Sequence, residues 1–180
     1  DSGNNLNWFF GNADLDGKIG TGGGSASLFI NGNPVATTTI AGDGSFIFNN
    51  VGITAGDSLV VFKNIANGAV TYTKAGQDGA VTMPDNVASD TFSFMITHEA
   101  SGGSVNNADL FTGFTNVPDA NHPFFGSTAP NVTIEAGWTT RVVGSAAGMP
   151  VGPANWQPLG NVTLTGATSV LSLETRVGGG

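Results

Sequence analysis

SASLFINGNPVATTTIAGDGSF, residues 25–46, is the stretch on which the fold turns. Ala26, Leu28 and Ile30 fall at every second position, the period of a strand with one buried face. Asn31-Gly32-Asn33 follows, and Asn-Gly tolerates the positive φ of a tight hairpin. Pro34 to Ile40 is the predicted return strand, with Val35, Thr37 and Thr39 on one face. Gly42-Asp43-Gly44 turns the chain again. Ser45 to Phe48 then places Phe46 and Phe48 on one side of a third strand.

The same grammar runs outward in both directions. Ala55-Gly56-Asp57 is a further turn, and Leu59 to Phe62 has no polar interruption, which predicts burial on both faces. Val70–Thr73, Ala80–Met83, Thr91–Thr97, Val132–Ile134, Trp138–Val143, Val162–Leu164 and Ser169–Val177 complete the predicted strands. Helical periodicity is almost absent. The expected fold is an all-β, antiparallel β-sandwich, Ig-like or jelly-roll-like, with long loops. Residues 1–24 read as an N-terminal segment and flexible joint, and 25–180 as the sandwich domain. Within it, 101–130 is a loop-rich insertion and 144–160 a second long loop.

Composition agrees. Charged residues make up 10% of the chain, against about 25% in a typical soluble domain. Twenty-eight glycines and abundant Ser, Thr and Asn suit Thr-rich strands joined by tight turns. The net charge is −8, and the five cations, Lys18, Lys63, Lys74, Arg141 and Arg176, are scattered. Phosphate neutralisation needs clustered cations, so nucleic acid is not an expected partner. No apolar run approaches the roughly 20 residues of a membrane helix. The absence of cysteine excludes disulfides and thiolate chemistry. Asn131-Val132-Thr133 and Asn161-Val162-Thr163 match the glycosylation sequon, a pattern that chance readily produces in a chain so rich in Asn and Thr.

Residues 25–63 resemble the bacterial immunoglobulin-like domains of secreted surface proteins and adhesins. The resemblance rests on Phe29-Ile30-Asn31-Gly32, Asp43-Gly44-Ser45-Phe46 and Ala55-Gly56-Asp57-Ser58-Leu59. It implies a β-sandwich on a cell surface or appendage, an extracellular setting, and no catalytic residues.

Three sets of residues are candidate sites. Asn12, Asp14 and Asp16, followed by Gly17 and Ile19, match the start of an EF-hand-type or dockerin-type calcium loop. Gly23 stands where a bidentate Glu belongs at the twelfth position, so the loop would be partial, with calcium completed by carboxylates elsewhere or by a neighbouring subunit. The competing reading is an Asx-rich turn. Asp43-Gly44, Asp57 and Asp78-Gly79 are read as turns. Leu6, Trp8, Phe9 and Phe10 form an apolar segment before Thr21-Gly22-Gly23-Gly24, a predicted joint. Such a strand can add to a neighbour's sheet and give an open homopolymer, or fold back on its own sheet. The C-terminal Ser169–Val177 strand is the other candidate for exchange. Trp138, Trp156 and Tyr72 are candidates for stacking on surface glycans, with the core the stronger reading for Trp138.

Catalytic signatures are lacking. There is no Gly-x-Ser-x-Gly elbow and no Walker loop, and His98 and His122 have no ligand-like spacing. The expectation is therefore a non-enzymatic structural subunit of an extracellular filament, pilus-like appendage or surface layer, with a carbohydrate-binding or adhesin module as the alternative.

Overall fold

A computed structural model of the chain describes residues 12–79, 81, 83–98, 104–125, 131–143, 156–166 and 168–174. Twelve strands and one short helix follow in order. β1 is Asn12–Lys18, β2 Gly24–Ile30, β3 Asn33–Ile40, β4 Ser45–Gly52, β5 Ser58–Lys63 and β6 Val70–Lys74. β7 is Ser93–His98, α1 Asn107–Phe114, β8 Phe124–Phe125 and β9 Val132–Ile134. β10 is Thr139–Val143, β11 Val162–Leu164 and β12 Val170–Glu174. The all-β sandwich expected from the turn grammar is the fold.

A seven-stranded sheet, ordered β12-β10-β7-β6-β5-β2-β3, forms the middle layer. β1 and β4 pair over one of its faces; α1 and a small β11-β9-β8 sheet cover the other. Two cores result. Leu15, Phe46, Phe48 and Val51 from the β1–β4 layer meet Ala26, Leu28, Leu59 and Val61. On the opposite face, Val60, Phe62, Tyr72, Phe94 and Ile96 meet Leu110 and Phe114 of α1, Phe124, Val132 and Ile134. β5 is buried along its whole length, as its unbroken apolar run predicts.

The hairpin at residues 31–32 forms as read: Asn31 and Gly32 take φ of 50° and 75°. A Cβ at Gly32 would stand 2.7 Å from the Thr112 carbonyl oxygen, so glycine also lets α1 approach this turn. Asp43, Asp57 and Asp78 are turn carboxylates, accepting from the backbone amides of Ser45, Thr54 and Ala55 respectively.

Three expectations need correction. The sheet is mixed rather than antiparallel throughout, because β6, β7, β10 and β12 run parallel to one another. Parallel neighbours cannot be joined by a two-residue turn; they need crossovers of a dozen or more residues. The loop-rich stretches 101–130 and 144–160 lie within those crossovers. Residues 12–18, read as a loop, are a strand antiparallel to β4. The predicted Ala80–Met83 strand is not one at its described positions: Val81 and Met83 pack into the core as irregular chain.

Candidate functional site: open sheet edges and an acidic cleft

Asn12, Asp14 and Asp16 alternate outward from β1 while Leu15 is fully buried beneath. The Asn50 amide donates to Asp14 Oδ1 at 3.0 Å, and Asn12 Nδ2 donates to Asn50 Oδ1 at 3.2 Å. A strand advances about 3.3 Å per residue, so the outer two of these residues stand roughly 13 Å apart. Calcium ligands lie about 2.3–2.6 Å from the ion. The three side chains therefore do not converge on one point, and among the described residues no group of three Asp, Glu or His is placed to hold a metal ion.

Leu6, Trp8, Phe9 and Phe10 lie outside the described residues. The joint that follows is pinned. Thr21 donates to Asp90 through its amide at 2.8 Å and its hydroxyl at 3.0 Å. Lys63, almost wholly buried, donates to Asp90 Oδ1 at 2.6 Å and to the Gly22 carbonyl at 3.0 Å. The Lys63 ammonium, followed by the Thr21 amide, holds the Asp90 carboxyl below the ordinary carboxylate range.

The proposed glycan-stacking trio is buried, which corrects that expectation. Trp138 is 1% exposed and meets Phe92 edge-on. Trp156 is 4% exposed and donates from Nε1 to Asn107 Oδ1 at 2.9 Å. Tyr72 is fully buried, its hydroxyl 2.8 Å from Ser58 Oγ, and burial pushes the phenol further up. An aromatic ring needs an exposed face to stack on a sugar, and these rings spend theirs on the core.

Among the described residues, two solvent-open features stand out. The first is the β3 edge. β3 has β2 as its ladder neighbour, and among the described residues nothing pairs with its outer side. Of its eight residues only Thr38 and Ile40 are not exposed, and none is charged. Alternate residues of an edge strand turn N–H and C=O groups outward; Pro34 and a bulge opposite Leu28 and Phe29 blunt the start of this edge, and Ala36–Ile40 is its regular, uncharged stretch.

The second is a cleft of about 400 Å³ lined by Asp119, His122, Phe124, Phe125 and Glu135. A 3-10 turn over Asp119–Asn121, β8 and the start of the β9–β10 bend supply its walls. Phe125 is 49% exposed. His122 packs edge-on against Phe114 and Phe124, and its Nδ1 donates to the Phe124 carbonyl. Burial lowers the His122 pKa, leaving the imidazole neutral at pH 7. The lining thus offers two carboxylates, a half-exposed ring and no cation. It can bind a cation or the hydroxyls of a sugar against a ring face. His98 ends β7 beside Lys74, on a different element from His122.

Sequence reading missed this cleft, whose lining is dispersed over residues 119–135. It also missed α1, although Asn106 and Asp109 spell a capping box: each side chain accepts from the other's backbone amide, at 3.1 and 2.8 Å. No protein-family model, curated protein or solved structure matches this chain.

Proposed function

We propose that this chain is a structural subunit of an extracellular filament, pilus-like appendage or surface layer, polymerising through its sheet edges. The observation that carries this reading is the β3 edge: eight residues, largely exposed, uncharged, and unpaired on the outer side among the described residues. In a chain of net charge −8, a neutral edge is a place where copies meet without like-charge repulsion. The donor is the neighbour's N-terminal segment, with Leu6, Trp8, Phe9 and Phe10 laid against β3. The resemblance of residues 25–63 to surface-protein domains supports the setting.

Electron microscopy of the purified chain tests it. Filaments or sheets are expected, and deletion of residues 1–11 or Thr37→Lys should abolish them. A wild-type chain that stays monomeric over a wide concentration range, with or without calcium, overturns the reading.

The cleft supports a second reading, an adhesin-type module that binds glycans at Phe125, Asp119 and Glu135. A glycan array should then give hits that Phe125→Ala abolishes; an array without hits removes this reading.

A further inference from the structure

Donors and acceptors in the cleft at residues 119–135 are unevenly matched. A carboxylate only accepts, so Asp119 and Glu135 contribute oxygens and no N–H or O–H. His122 is the one lining side chain with a ring N–H, and it spends it on the protein: Nδ1 donates to the Phe124 carbonyl, and the ring also faces the Phe114 carbonyl. Phe124 and Phe125 add ring carbon, and no Lys or Arg lines the cleft. Among the described residues no hydrogen bond or ion pair engages the Asp119 or Glu135 carboxylate. The lining side chains thus present acceptors and negative charge beside an apolar surface.

The frame that holds these groups is set before any ligand arrives. The His122 amide donates to the Asp119 carbonyl at 3.1 Å and closes the 3-10 turn. The Glu135 amide donates to the Pro123 carbonyl at 3.1 Å and prolongs the β8–β9 ladder, in which Phe125 lies opposite Thr133. Phe124 is wedged edge-on between Phe111 and Phe114 and forms the floor. Phe125 follows it, half-exposed and, among the described residues, outside every ring contact. A ligand meeting a preset floor, platform and acceptor pair avoids much of the ordering cost of binding.

We infer that the cleft takes the free amine of an amino sugar, with the sugar's C–H face on Phe125 and its ammonium on Asp119 and Glu135. The inference rests on the glycan-binding reading of this site and names the ligand class. An ammonium brings three donors and no acceptor, the complement of this lining, and its charge offsets the carboxylates. A neutral hydroxyl donates as well but leaves both negative charges uncompensated. An acidic sugar meets repulsion from the cleft and from a chain of net charge −8. A calcium ion needs six to eight oxygens, and among the described residues no third metal ligand joins the two carboxylates. A bare cation would also leave the Phe125 platform unused, whereas a cation carried on a sugar ring uses both.

Isothermal titration calorimetry of the full chain tests this with two probes, a β-1,4-linked glucosamine hexamer and the same hexamer fully N-acetylated. Acetylation removes the positive charge and keeps the ring faces. The amine form should bind at least about tenfold more tightly. Glu135→Gln, Asp119→Asn and Phe125→Ala should each weaken it about fivefold, with circular dichroism unchanged. Asp16→Asn removes one charge from β1, on the opposite face of the seven-stranded sheet, and should leave the affinity as it was. Equal affinity for the two hexamers, preference for the acetylated one, or a loss with Asp16→Asn that matches Glu135→Gln overturns the inference. So does a lysine hexamer that binds as tightly as the glucosamine hexamer and loses as much with Glu135→Gln, which would make the cleft a site for basic peptides. If neither sugar hexamer binds, the inference falls, and hits with neutral sugars on the glycan array would keep the broader reading standing without it.

Discussion

Asn12, Asp14 and Asp16 show how one sequence period serves two readings. One-residue alternation of oxygen side chains is the spacing of a calcium loop, but it is also the period of a strand whose other face holds Leu15. The trio does not announce the strand; its partner β4 makes it one, and that partner lies over 25 residues away. Lys63 is the converse case. Nothing in its sequence neighbourhood marks it as buried, yet Asp90 and the Gly22 carbonyl hold its ammonium inside. Asp90→Ala would strand that charge and should cost about 2 kcal/mol in urea unfolding, a figure reduced from the deep-burial range because Asp90 is partly solvated. The pH dependence follows. The folded pKa of Asp90 lies below the ordinary 3.8, so its contribution is complete above that value and is lost as pH falls through the lower, folded one. The urea midpoint of the wild type should drop on acidification below about pH 4, and Asp90→Asn should flatten part of that drop.

At the scale of elements, β2 to β5 were legible because Asn31-Gly32, Asp43-Gly44 and Gly56-Asp57 announce turns whose strands pair with near neighbours. The parallel half was not. β7, β10 and β12 read correctly as strands, but their direction depends on where long crossovers return the chain, and no local residue encodes that. α1 was hidden by its glycine and its length of eight residues. That glycine is a packing residue: a Cβ at Gly113 would lie 3.1 Å from Tyr72 Cε2 and Val60 Cγ2 and 3.3 Å from Ser58 Cβ. The Tyr72 ring is tethered through its hydroxyl and cannot swing away. Gly113→Ala should therefore lower stability by about 1–2 kcal/mol, despite a helix-propensity gain of about 1 kcal/mol. Thermal or urea unfolding of this variant gives the sign, and a stabilised protein would mean that the helix can shift outward.

For the molecule as a whole, the layered core explains the distribution of its few cations. Lys18, Lys63 and Lys74 each close a strand, and Arg141 lies within one. Proteases need an extended, unpaired stretch, so trypsin should cut none of these four bonds without unfolding. Mass spectrometry of a native digest would find a cut at one of them if local opening were common. The change from antiparallel to parallel pairing between β6 and β7 also has a consequence in time. Strands β1 to β6 pair mostly with neighbours close in sequence and can associate as soon as they leave the ribosome, whereas β7, β10 and β12 must each close a long loop before gaining contacts. Until β7 arrives, the β6 flank of the growing sheet is an open ladder beside a half-covered Tyr72. Folding of this chain therefore has successive vulnerable intervals, and the first begins when residue 74 has been made and ends when residue 98 is in place.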